Sequence, residues 1–487
     1  MSYAAYPAAP PARGGAAGFP AAGPRAAYGR RGFASAGPAP VSASAASASA
    51  GKWTAMDGAL ALLILTYVWR VQDLFSVLHP LQLASLGTLG ATGLFVAGGG
   101  MARLEVARRQ PVYRWAVALL VMMVLSVPFA LFPGAIFRFI LEDHLKTFLM
   151  MTLIAASLRG AGGASRMAGV HVAGAVVYCL VVISRFPMVG GRLQSLVYYD
   201  SNDLGMLLVC TLPLAVYFLR PGERGWVRLM ALGGAGVILL GLVRSGSRGG
   251  TLGLLTVCVY MLLRFSVFSK KARLGALMAG VGALVFLGGA AYRKQMETLL
   301  HPTQDYNWSG KSPEGRMEVW KRGVGYMLAR PLTGVGASGF YVAEGTLSER
   351  AKRQQYGKPL KWSAPHNSFV QAGAELGFPG LFIFLGLLFV AFRRPKHDGP
   401  VDGNHAALER ALSASILGYA VTGFFLSQAY AALLYTLLGI IVGLRAFAAV
   451  PAAAAAAAQT SAAPARVRVY GRRGGGWGMV PPLPPAV

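Results

Sequence analysis

The sequence predicts an all-α polytopic membrane protein with about twelve transmembrane helices and one large, partly helical loop on the outer face. Three observations carry that reading. Of 487 residues, 55% are hydrophobic and only 13% charged, whereas roughly a quarter of the residues in a soluble domain are charged. Apolar runs of membrane-crossing length recur along the chain. Basic residues punctuate those runs, and 46 Lys and Arg against 18 Asp and Glu give a net charge of +28. A chain this apolar can offset its ordering entropy, which excludes disorder over most of its length. A nucleic-acid module clusters its Lys and Arg on one face or helix, so no nucleic-acid partner is expected. Cys179, Cys210 and Cys258 each sit inside an apolar run, which indicates neither a disulfide framework nor a thiolate metal site.

Residues 1–52 are Ala/Pro/Gly/Ser-rich and contain no apolar h-region followed by a cleavage site. They read as a disordered cytoplasmic tail. A transmembrane domain follows over 53–449. Its candidate crossings begin near Thr54, Pro80, Tyr113, Ala135, Met167, Asp203, Trp226, Gly250, Arg273, Asn367, Ala411 and Tyr430. The segment Ala135–Leu158 carries Glu142, Asp143, His144 and Lys146 in its first half and reads as an interfacial helix leading into a shorter span. Residues 450–487, with the alanine run Ala452–Ala458 and a Pro/Gly-rich end, form a second cytoplasmic tail. Basic residues alternate in step with these crossings, since 27 fall on inner segments and only seven on short outer connections: Arg70, Arg138, Lys146, Arg185, Arg192, Arg244 and Arg248. The positive-inside rule then puts both termini in the cytoplasm.

The connection 292–366 is unlike the others. A long loop is usually functional or disordered, and this one carries Trp308, Trp320, Trp362, Tyr306, Tyr326, Tyr341 and Tyr356. Its twelve basic residues against six acids imply an anionic partner outside. The competing reading is a solvated loop, because long loops are exempt from the sorting rule. His366 sits where the loop re-enters the bilayer, able to titrate near neutral pH and to reach a hydroxyl as a general base. The turn Arg244-Ser245-Gly246-Ser247-Arg248-Gly249-Gly250 pairs two arginines with small neighbours ahead of a helix N-terminus, a pattern suited to phosphate oxygens. Snorkelling arginines are the structural alternative. Arg185 and Arg192 precede Tyr198-Tyr199-Asp200-Ser201-Asn202-Asp203, and Arg316 stands near Trp320. Glu375 is an intramembrane carboxylate, a functional candidate by default, or else pairs with an arginine and orients it. Gly334-Val335-Gly336-Ala337-Ser338-Gly339 matches G-x-G-x-x-G without a βαβ context and reads as a turn. No H-E-x-x-H, P-loop, Cys-x-x-Cys or Asp-x-Asp occurs, so several enzyme classes lose ground, the metal-dependent nucleotide-sugar transferases among them.

Together these segments resemble the O-antigen ligase and polymerase superfamily. The closest stretch is Pro365-His366-Asn367-Ser368-Phe369, continuing through Gln371 to Ala374-Glu375-Leu376-Gly377-Phe378-Pro379-Gly380. Ser247-Arg248-Gly249, Gly315-Arg316 with Trp320, Pro331-Leu332-Thr333-Gly334-Val335-Gly336 and Asp200-Ser201-Asn202 support it, and the likeness runs from about Arg192 to Phe392. The resemblance implies a metal-independent inverting glycosyltransferase of the bacterial inner membrane that requires no cofactor. Its large loop and active site would be periplasmic, among membrane lipids. The donor would be a glycan on undecaprenyl pyrophosphate, and the acceptor a lipid A core sugar (ligase, the favoured reading) or a lipid-linked glycan repeat (polymerase). On this reading His366, Arg316 and Arg248 are catalytic, while Arg192, Arg244, Asn367 and Glu375 bind substrate. A transporter or flippase is the competing class, since the same layout serves both.

Overall fold

The computed structural model of the chain describes residues 52–461, apart from 195, 266–267, 299–300, 302–304, 306, 311, 355–361 and 396–402. The tail expected over residues 1–51, Tyr306, Tyr356, several loop lysines and residues 462–487 lie outside the described residues.

Helices dominate. The first half contains α1 (Ala55–Tyr67), α2 (Leu83–Ala97), α3 (Gly100–Ala107), α4 (Pro111–Ser126), α5 (Leu145–Ser157) and α6 (Gly160–Arg185). Next come α7 (Ser201–Tyr217), α8 (Gly225–Ser245), α9 (Arg248–Arg264) and α10 (Lys270–Glu297). The connection after α10 folds into α11 (Arg316–Ala329) and α12 (Phe340–Thr346), and the chain closes with α13 (Ser368–Phe392), α14 (Gly403–Gly423) and α15 (Ala432–Ser461). The crossings expected from sequence start inside a helix or at its N-cap, except the last, whose expected start at Tyr430 lies in a turn ahead of α15. Among the described residues, five helices are long and apolar enough to cross a membrane: Ser76–Ala97, Pro111–Phe129, Gly160–Arg185, Gly225–Ser245 and Ser368–Phe392.

Local chemistry starts these helices where they start. Thr54 and Asp57 form a capping box ahead of α1, and Asp200 and Asp203 form another ahead of α7. In each, two orphan backbone N–H groups find side-chain oxygens. Helix α7 is buried on nearly all faces, from Leu204 to Tyr217, as expected of an apolar-all-round helix at a bundle centre. It packs against α8, α9 and α14, while α13 packs against α4 and α11.

The structure departs from the sequence reading in five places. A two-stranded hairpin pairs Met188–Val189 (β1) with Arg192–Leu193 (β2), an exception to the all-α expectation. Helix α10 breaks at Gly289, with φ of 62°, and resumes to Glu297, past the expected loop start at Tyr292, whose hydroxyl lies 2.9 Å from that of Thr251. Helix α15 runs to Ser461 through the alanine run assigned to the tail, because alanine is the best helix former. Helix α13 breaks at Gly377, whose φ of 71° only glycine adopts readily. The charged cluster in the Ala135–Leu158 segment coincides with a π turn, Ile140–His144, between Pro133–Phe139 and α5. Arg445, read from sequence as a topological charge, is instead buried against Glu409 at 3.0 Å. Its guanidinium also donates to the carbonyls of Val390, Ala391 and Arg393, capping the C-terminal end of α13.

Candidate active site

Arg192, Arg248, Arg316 and His366 line one cavity of about 300 Å³. Four segments far apart in sequence supply them. The first turn of α9 contributes Ser247, Arg248, Gly249 and Gly250. Ser247 is the N-cap, its hydroxyl accepting from the Gly250 N–H at 3.1 Å. Arg316 is the first residue of α11, His366 precedes the N-cap of α13, and Asn202 stands in the first turn of α7. Helix N-termini carry partial positive charge and unpaired N–H groups, so four of them around three arginines define a site for a highly charged anion.

Each group is held in place by neighbours. Arg192 sits on β2 after the Gly190-Gly191 turn. Its guanidinium donates to Asn202 Oδ1 at 3.0 Å and to the Ser245 carbonyl at 3.4 Å. The Ser201 hydroxyl donates to the Leu193 carbonyl, locking the hairpin to α7. Arg248 pairs with Asp305 and donates to Thr298 Oγ1 at 2.8 Å. Burial pushes the Asp305 carboxyl up, but hydrogen bonds from Asn307 and Arg248 outweigh it and hold the group below the usual carboxylate value. Asp305 therefore stays an anion that orients Arg248.

His366 has φ of 46°, a left-handed conformation that costs a non-glycine residue about 1 kcal/mol. Its N–H donates to Ser427 Oγ at 2.7 Å. The Trp320 indole donates to the preceding Pro365 carbonyl at 2.8 Å. Trp320 in turn meets Trp308 and Phe424 edge-to-face, with ring centroids 5.4 and 5.1 Å apart. The segment after α14 is pinned to the same place, since Ser368 Oγ donates to the Leu426 carbonyl and accepts from the Gln428 N–H.

Three expected binding residues lie off the cavity wall. Arg244 stands in the last turn of α8, before the left-handed Gly246 that separates it from Arg248 on α9. Asn367 is the N-cap of α13, its side chain accepting from the N–H groups of Phe369 and Val370 at 2.9 and 3.0 Å. Glu375 does not orient an arginine. Its carboxylate accepts from the backbone N–H groups of Ser338 and Phe340 at 2.8 and 3.3 Å. The reason lies in the helix break. Phe378 N–H turns away to the Pro331 carbonyl, and Pro379 has no N–H, so the Ala374 and Glu375 carbonyls lose their helical donors. Val335 and Gly336 supply the replacements, each at 2.9 Å. The G-x-G-x-x-G stretch is thus a turn that docks on broken α13.

Sequence reasoning quoted Asn202 in a motif without giving it a role and missed Gln295, Asn307, Glu314, Thr422 and Phe425, all of which line the cavity. The Val-Gly-Gly-Arg run was a readable hairpin signal for Arg192. The others carry no local pattern. Deeper in the loop, the Arg322 guanidinium makes two 2.7 Å bonds to Glu344, which is fully buried and also accepts from the Tyr326 hydroxyl at 2.9 Å. Burial lowers the Arg322 value, but Glu344 more than reverses the effect.

Fold and site define a multi-pass membrane protein with an arginine-lined anion cavity at one end of α9. Residues 233–385, less than half of the chain, match the O-antigen ligase family. That match supports a place for this segment in the O-antigen ligase and polymerase superfamily. The matched residues include Arg248, Arg316 and His366, and Arg192 lies outside them. No curated protein matches the chain.

Proposed function

We propose that the chain is an O-antigen ligase that transfers a glycan from undecaprenyl pyrophosphate to a lipid A core hydroxyl, at the periplasmic face of the bacterial inner membrane. Twelve crossings with both termini in the cytoplasm accompany this reading. The observation that carries it is the convergence of Arg192, Arg248, Arg316 and His366 on one cavity.

The chemistry follows from those groups. The acceptor oxygen attacks the anomeric carbon from the side opposite the pyrophosphate, inverting it. The glycosidic C–O bond breaks and its electron pair leaves with the pyrophosphate, whose growing charge Arg248 and Arg316 stabilise. Arg192 holds the second phosphate. His366 takes the acceptor proton. Gln295 Oε1, buried in the cavity region without a hydrogen-bond partner among the described residues, accepts from a sugar hydroxyl. Bidentate arginine forks suit phosphate oxygens, so the arginines themselves meet the charge of the leaving group.

Single substitutions His366→Ala and Arg316→Ala test the reading. Each abolishes transfer while expression and membrane insertion persist, and full activity in either variant removes that residue from the mechanism. The polymerase reading shares donor and cavity, so a gene deletion separates the two. Loss of long glycan from lipid A core, with polymer still on the carrier, identifies the ligase. Single repeat units identify the polymerase, and carrier-linked glycan uptake by proteoliposomes without a new glycosidic bond identifies a transporter.

A further inference from the structure

A second cavity, of about 460 Å³, lies between α7, α8, α9 and α10. Its wall is apolar, with Leu232, Leu239, Leu255, Met261 and Leu277 among the lining residues. Leu232 is 60% exposed and Leu255 42%, so the groove opens on the lipid-facing surface. Among the described residues, Arg273 is the one charged side chain in its wall.

Arg273 stands in the first turn of α10 with Lys270 and Lys271, and no acidic residue shares that turn. Cations there add to the positive end of the helix macrodipole, which favours carboxylates and phosphates. The Arg273 guanidinium donates through Nη1 to the Leu262 carbonyl at 2.5 Å. Its Nε is buried and has no hydrogen-bond partner among the described residues. The positive-inside rule accounts for basic residues at a helix end. It does not account for an apolar groove leading to a guanidinium with a buried, unsatisfied donor.

We propose that this groove binds one anionic phospholipid, with an acyl chain along α8 and α9 and the headgroup phosphate on Arg273. Lys270 and Lys271 supply further attraction at the headgroup level. Basic pockets between transmembrane helices bind anionic lipid headgroups in this way. The glycan donor does not fit the same position. Helix α9 rises roughly 24 Å from Arg248 to Arg264, so the Arg273 end of the groove and the arginine cavity lie at opposite ends of that helix. The site is independent of the transfer reaction proposed above.

Gly236 gives a test that does not depend on folding. It lines the groove, and a Cβ there meets nothing within 4 Å, so Gly236→Leu fills the groove while improving helix propensity. Native mass spectrometry of the purified full-length protein measures retention of dioleoyl-phosphatidylglycerol, dioleoyl-phosphatidylcholine, undecaprenyl phosphate and inorganic phosphate. Wild type retains phosphatidylglycerol in preference to the other three. Gly236→Leu weakens that retention about tenfold, and Arg273→Gln weakens it about fivefold with phosphatidylcholine unaffected. Transfer activity persists in Gly236→Leu. Equal retention of the two phospholipids, unchanged phosphatidylglycerol binding in Gly236→Leu, preferential capture of undecaprenyl phosphate, or displacement by inorganic phosphate alone each overturns the proposal.

Discussion

The indole N–H of Trp320 donates to the carbonyl of Pro365 at 2.8 Å. Through it α11 fixes the backbone one residue before His366, which is held in an unfavourable left-handed conformation. The histidine is therefore positioned from two sides, by Trp320 before it and by Ser427 at its own N–H.

Trp320→Phe keeps the ring contacts with Trp308 and Phe424 and deletes this hydrogen bond. A neutral hydrogen bond contributes about 1 kcal/mol, so transfer falls about fivefold with little change in thermal unfolding. Trp320→Ala also removes the aromatic packing, and a large aromatic deletion costs about 3 kcal/mol or more. That variant loses both transfer and stability. Equal activity of Trp320→Phe and wild type in a reconstituted transfer assay disproves the positioning role.

Asp305 sets an acid limit on stability. Its folded value lies below the unfolded one, so its contribution is complete above the unfolded value and is lost as pH falls through the folded value. An unperturbed aspartate titrates at about 3.9, which places the loss below about pH 4. Thermal unfolding in detergent shows a steeper acid limb for wild type than for Asp305→Asn. The same variant leaves Arg248 without its carboxylate partner, and transfer falls at neutral pH.

Gly246 faces Arg192 at close range, since a Cβ there would lie 2.5 Å from Arg192 Cγ. Gly246→Ala therefore displaces the arginine and strains a backbone with φ of 58°. The expected outcome is a loss of about 1 kcal/mol or more in stability, together with a rise in the apparent KM for the lipid-linked donor. A donor KM equal to wild type separates Arg192 from donor binding.

Glu375 holds the loop through the backbone N–H groups of Ser338 and Phe340. Glu375→Ala leaves the buried N–H groups of Ser338 and Phe340 unpaired, at about 1–3 kcal/mol each. Limited proteolysis then cuts the connection between α10 and α13 faster than in wild type. Glu375→Gln, which keeps one carbonyl oxygen as acceptor, gives an intermediate rate.

The sequence by itself determined the helical membrane class, because apolar runs and their flanking charges are one-dimensional signals that depend on no distant partner. It also pointed to Arg248, Arg316, Arg192 and His366, whose residue types and small or aromatic neighbours advertise anion binding and proton transfer. Tertiary structure alone decided which candidates meet. Arg244 is only four residues from Arg248, yet it sits off the cavity wall because the left-handed turn at Gly246 ends α8 and Arg248 begins a new helix. Asn367 and Glu375 were read as substrate contacts from the same motif as His366, but both satisfy backbone N–H groups left open by a helix start and by the break at Gly377. Asp305 and Ser427 carry no local signal, and Asn202 was legible only as part of a motif with no role attached. Their work is to orient a charge or a backbone supplied by another segment, and only the packing of α7, α9, α11 and α13 brings donor and acceptor within bonding distance.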